Sequence, residues 1–128
     1  MAARNLAPLR TLNRDVIPIM GSFAPNGVLT VVASSRKGCG WSVARTSAGL
    51  FTITFTDKYN NLLCFQHSIR HPTAIDLKTQ AGVYTAANKT ITIAVLAIAV
   101  ATDVTADANA RIDFVAWFSN TAQTPNAG

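Results

Sequence analysis

The segment LFTITFT, residues 50–56, constrains this chain more than any other: Phe51, Ile53 and Phe55 alternate with Thr52, Thr54 and Thr56. Successive side chains point to opposite faces of a strand, whereas a helix repeats every 3.6 residues. Strict alternation therefore predicts a half-buried antiparallel strand, with phenyl and isobutyl-sized groups on the core side. The preceding WSVARTS, residues 41–47, places Trp41 and Val43 on one face, with Arg45 at its end. Ala48-Gly49 separates the two segments and predicts a hairpin between them.

The same reading extends along the chain. RDVIPIMGSF, residues 14–23, is predicted to be a strand at a sheet edge, because Pro18 offers no backbone donor to a neighbour. APNG, residues 24–27, is a turn, since proline presets φ and Asn-Gly tolerates positive φ. VLTVVASS, residues 28–35, is a β-branched run expected to form the next strand, followed by the glycine-rich loop RKGCG. DKYNN, residues 57–61, is a turn before the strand LLCFQHSI. GVYTA and TITIAVLAIAVA are expected to pair around Ala87–Lys89, and the second turns apolar on both faces from Ala94 onward. That pattern predicts a central strand covered on both sides. In RIDFVAWFS, residues 111–119, Ile112, Phe114, Ala116 and Phe118 share one face, and Val115 and Trp117 share the other. About eight strands at intervals of roughly ten residues predict an all-β fold, an antiparallel β-sandwich with the jelly roll as its expected topology. The expected division is a basic N-terminal arm over 1–13, the sandwich over 14–121 and a polar tail over 122–128.

Composition supports this. Only 13% of residues are charged, about half the usual share. All six acids are aspartates, and glutamate, a residue that commonly solvates helices, is absent. A surface this poor in charge is expected to be covered in part by other protein. The net charge of +5 is unevenly spread: Arg4, Arg10 and Arg14 precede the first acid, Asp15. Such an arm suits an acidic protein surface or nucleic acid. No aromatic residue interleaves with the arginines, so direct nucleic-acid binding is not expected. Arg4, Pro8 and Arg10 interrupt any apolar leader, and residues 90–101 are too short to cross a membrane as a helix, so synthesis in the cytoplasm is the expectation.

Candidate reactive groups are few. His67 and His71 would share one face of a helix, but in a strand they lie about 13 Å apart. Pro72 also holds His71 extended, so both read as loop or rim histidines rather than metal ligands. Cys64 and His67, three apart in a strand, face opposite ways and cannot pair as nucleophile and base. Cys64, between Leu63 and Phe65, is expected to pack as a small apolar residue; whether it pairs with Cys39 stays open. SSRKGCG has the residue types of a phosphate loop without its order, and it precedes a strand instead of a helix. Asp103 and Asp107 share a loop and form the one weak possibility for a cation. Asn88-Lys89-Thr90 fits a glycosylation acceptor, which matters only in a secreted protein. No enzyme, metal or cofactor is expected.

The stretches IPIMGSFAPNGVLTVVASSRKGCGWSVARTSAGLFTITF and YTAANKTITIAVL, with ARIDFVAWFSNT, resemble capsid cement (decoration) proteins of short-tailed bacteriophages such as those infecting Bordetella. The resemblance runs from about residue 14 to residue 121. It implies a β-sandwich or jelly roll, dimeric or trimeric, on the outside of an icosahedral shell. Such a protein bridges neighbouring major capsid protein subunits and resists the pressure of packaged DNA. It implies no enzyme, no membrane, assembly in the host cytoplasm and a final place in the virion. The family has no contact motif to carry over, so contact residues are chosen on physical grounds. Arg4, Leu6, Leu9, Arg10, Leu12 and Arg14 are expected to meet the capsid, because leucines are wasted on a free tail; the alternative is that they fold back onto their own domain. Arg36 and Lys37 are the second expected capsid contact. Val115 and Trp117 are expected either to self-associate or to fill a second side of the core. The competing function is a tail-fibre or receptor-binding domain recognising host glycans or proteins, for which Tyr59 is the plainest loop aromatic.

Overall fold

The computed structural model describes residues 16–73, 76–107 and 109–119. Its strands are β1 (Val16–Phe23), β2 (Trp41–Ser47), β3 (Leu50–Phe55), β4 (Asn61–Arg70), β5 (Leu77–Ala81), β6 (Thr90–Ala97), β7 (Val100–Ala101) and β8 (Arg111–Ser119), with one 3-10 turn at Ala33–Ser35. They form two antiparallel sheets, a β-sandwich of eight strands. One sheet has the order β1-β8-β4; the other has β2-β3-β6-β5, with β7 paired to β6. Three links are hairpins inside the second sheet, β2–β3, β5–β6 and β6–β7, and the first and last strands are neighbours in the first. The edge position expected from Pro18 is where β1 lies.

Alternation sets the inner faces. Phe51, Ile53 and Phe55 of β3 align with Ile93, Ile91 and their neighbours on β6, and all are almost fully buried. From the other sheet, Ile112, Phe114, Ala116 and Phe118 of β8 supply the opposing layer, with Phe23 beside Ile112. Aromatic rings lock the two layers: Phe55 meets Phe118 edge-on at 4.8 Å, and Trp41 meets Phe114 edge-on at 4.9 Å. Such contacts add to area burial because ring edges are positive and ring faces negative. Gly21 permits the Trp41 packing, since a Cβ there would sit 2.5 Å from the indole.

Two expectations are corrected. Residues 28–35 do not form a strand: Val28, Leu29 and Val32 are exposed, and only the 3-10 turn is regular. β-Branched residues favour a strand only where a ladder partner exists. Here β1 pairs with β8, and the chain turns away at Gly27, whose N–H donates to the Val104 carbonyl at 2.8 Å. The apolar run after Ala94 is not one covered central strand either. β6 stops at Ala97, Ile98 (φ 50) and Ala99 (φ 66) turn the chain, and β7 runs back along β6. A two-residue turn with both central φ positive matches the twist of a hairpin, so turn geometry prevails over hydropathy.

Candidate docking surfaces

The reactive groups resolve first, because their local partners account for them. His67 belongs to the inner face of β4, in register with Phe114, and its Nδ1 lies 2.6 Å from Thr79 Oγ1 on β5. Burial holds its pKa below the usual imidazole value. It is therefore neither a loop nor a rim histidine, because the register of β4 turns it inward. His71 lies past the strand, and its Nδ1 accepts the Thr73 N–H at 3.1 Å. The two imidazoles serve different partners.

Cys64 does not pack inside. A bulge between Leu62 and Cys64 lets two residues of β4 oppose one of β8, which turns Cys64 outward opposite Trp117. Cys64 and Cys39 are exposed free thiols. The cation possibility at Asp103 and Asp107 fails for a similar reason. Both Asp103 oxygens take Arg45, at 2.9 and 2.8 Å, and one also accepts Gly49 N–H at 2.9 Å. The Arg45 hydrogen bonds hold that carboxyl below its usual range, with the Gly49 amide adding to the effect. Asp107 accepts the Asn109 N–H at 2.8 Å. Among the described residues no group of three potential ligands could hold a metal ion.

Tyr59 lies in the loop between β3 and β4, as expected, but is buried there, stacked on Phe118 at 4.6 Å, and its carbonyl accepts the Tyr84 hydroxyl. Burial raises both phenol pKa values. Arg36 is half-buried: one of its guanidinium nitrogens donates to the Trp41 carbonyl at 2.8 Å, and the group lies 5.8 Å from the centre of the Trp41 ring. Lys37 is exposed, with its backbone paired to Ser22. Arg4, Leu6, Leu9, Arg10, Leu12 and Arg14 lie outside the described residues.

What remains is surface. On the outer face of the three-stranded sheet, register builds rows across the strands: Pro18–Trp117–Cys64, then Met20–Val115–Gln66, then Ser22–Asp113–Ser68. The first two rows are mostly apolar; Met20 on β1 is 61% exposed, and Leu63, in the bulge on the far side of β8, is 40% exposed. The third row is polar, and Arg70 clamps Asp113 there with bonds of 2.7 and 3.0 Å. Val115 and Trp117 lie outside the core cluster, so they do not fill a second core. The sequence singled out those two residues but not Pro18, Met20 and Leu63, because only strand register joins them.

A second surface lies at one end of the sandwich. There a cavity of about 520 Å³ opens between the end of β6, the start of β5 and residues 102–107. Nothing in the spacing of residues signalled it, since its walls come from separated loops. Among the described residues no helix is long and apolar enough to cross a membrane. Comparison with family models, with curated proteins and with solved structures found no match to this chain, so the likeness to cement proteins rests on its sequence stretches alone.

Proposed function

We propose that the protein is a binding module of a virus particle, which coats the outside of an icosahedral shell and bridges neighbouring major capsid protein subunits. The observation that supports this reading is the apolar outer face of the β1-β8-β4 sheet, where Pro18 and Met20 pair with Trp117 and Val115, with Leu63 in the bulge of β4, in a chain with few charges. Met20 and Leu63 are exposed there and Pro18, Val115 and Trp117 half-buried, and an apolar surface of this kind suits a partner. It suits permanent contact, in which aromatic and thioether side chains anchor the centre and polar groups form the rim. In this reading the Ser22–Asp113–Ser68 row and Arg70 are that rim, and Lys37 is an exposed cation at the edge of β1.

The reading as a tail-fibre or receptor-binding domain loses its main side chain, because sugars stack on exposed aromatics and Tyr59 is buried. Copy number separates the two. Purified full-length protein is mixed with shells lacking it, and bound chains are counted by quantitative mass spectrometry after sedimentation. Saturation within a few-fold of the shell subunit count is the expected result. A handful of copies per particle would point to a fibre or tail component, and no binding at all would remove the viral reading.

A further inference from the structure

The cavity at the end of the sandwich has features that the outer-face reading does not use. Its walls include Leu77, Ala97, Ile98 and Val104, and its mouth carries Asp76 and Asp107. Asp103 also lines it, but that charge is matched by Arg45, whereas Asp76 and Asp107 have no ion-pair partner among the described residues. Ile98 is 82% exposed and holds a left-handed backbone, an uncommon state for a β-branched residue. Val100, two residues on, is also exposed. Apolar side chains and two unmatched carboxylates thus surround a space of the size that encloses a bound group of a few side chains.

The occupant that fits is written in the same chain. Residues 1–14 hold three arginines, three leucines and no acid, in the order Arg4, Leu6, Leu9, Arg10, Leu12, Arg14. Leucines match the walls, and arginines match Asp76 and Asp107 at the mouth. Direction also matters. β1 ends at Phe23, four residues before Gly27, whose N–H bonds the Val104 carbonyl, and it begins at Val16, paired with Ser119, at the far end of the strand. Eight strand residues separate the ends by about 26 Å. Leu9 and Leu12 precede Val16 by only seven and four residues, at most about 25 Å of extended chain, so they fall short of the cavity of their own copy.

We propose that the cavity receives residues 1–14 of a second copy, with Leu6, Leu9 and Leu12 inside and the arginines against Asp76 and Asp107. This goes beyond the shell-coating reading and assigns the basic segment to a neighbouring copy instead of the capsid. Contact of one end with the opposite end of the next copy is heterologous, so a closed ring leaves no segment and no cavity unused.

The test uses the full chain with a photoreactive residue, Leu9→p-benzoylphenylalanine, as an equal mixture of ¹⁴N- and ¹⁵N-labelled protein. The expected result is mixed-isotope crosslinks into peptides spanning 76–81 or 97–107. Crosslinks confined to one isotope would mean that the segment folds onto its own copy, and crosslinks to peptides carrying Val115 and Trp117 would place it on the outer face. Either result, or a lack of crosslinks to the cavity, overturns the proposal. In parallel, Asp76→Asn combined with Asp107→Asn is expected to raise the dissociation constant of the assembly roughly tenfold at low salt with an unchanged melting temperature. An unchanged dissociation constant also overturns it. No shell enters either experiment, so failure here leaves the shell-coating reading standing, and failure to bind shells leaves this one standing.

Discussion

Trp41 lies over Gly21 and against Phe114, 4% exposed, and its indole Nε1 has no hydrogen-bond partner among the described residues. An unpaired buried donor costs about 1–3 kcal/mol, which ring packing and the Arg36 contact offset. Trp41→Phe removes that donor but leaves a small void, and the two effects offset each other. The expected change in urea unfolding free energy is within about 1 kcal/mol. A loss above about 3 kcal/mol would show that the indole N–H is bonded after all. Gly21→Ala drives a methyl into the indole and is expected to cost about 3 kcal/mol, because neither Trp41 nor Phe114 has room to move. His67 adds a pH dependence. Its folded pKa is lowered by burial, so the unfolded chain binds the proton more readily. The stability involved is present above the unfolded pKa of about 6.5 and falls as the pH drops through the folded value. Asp103 and Asp113, whose folded pKa values are lowered, add a further loss below about pH 4. Melting curves of His67→Gln are expected to lose the fall below pH 6.5 and keep the later one. The sequence showed the position of His67 in a strand, but not the register that turns it toward Thr79.

Among the elements, the agreement between sequence and structure follows the strength of local alternation. Residues 50–55 and 111–118 alternate cleanly, and the structure places them as read, inner and outer faces included. The two long apolar runs failed because hydropathy without period states burial, not direction. In residues 28–32 no strand was at hand to complete a ladder, and in residues 94–101 a turn folded the run back on itself. That turn holds Ile98 and Ala99 in the left-handed region, which costs non-glycine residues roughly 1–2 kcal/mol each. Ile98→Asn with Ala99→Gly, the pair favoured in such turns, is expected to raise stability by about 1–2 kcal/mol in thermal or urea unfolding. No gain would mean that Ile98 makes a contact worth its strain. The β4 bulge was equally invisible, because one extra residue leaves the composition unchanged yet turns Cys64 from core to surface.

For the whole molecule, the outer face predicts a separation of folding from binding. Met20→Lys and Val115→Lys together are expected to change unfolding free energy by less than about 1 kcal/mol, since neither side chain is in the core. They are expected to weaken shell binding at least tenfold in sedimentation assays, because a charge at the centre of an apolar contact is left without water. Retained binding would move the shell contact elsewhere. The split between what could be read and what could not has one cause. Alternation with period two is a local property of the backbone, so the chain by itself determined an all-β sandwich, most of its strands and the inner faces of β3 and β8. Strand order is not local. The pairing of β1 with β8, the bulge in β4 and the end-to-end closure of loops around the cavity arise only when distant segments meet. The tertiary structure therefore decided that Pro18, Met20, Val115 and Trp117 share one face, that Arg36 and Tyr59 are held inside the fold's own contacts, and that Asp76 and Asp107 stand at one mouth.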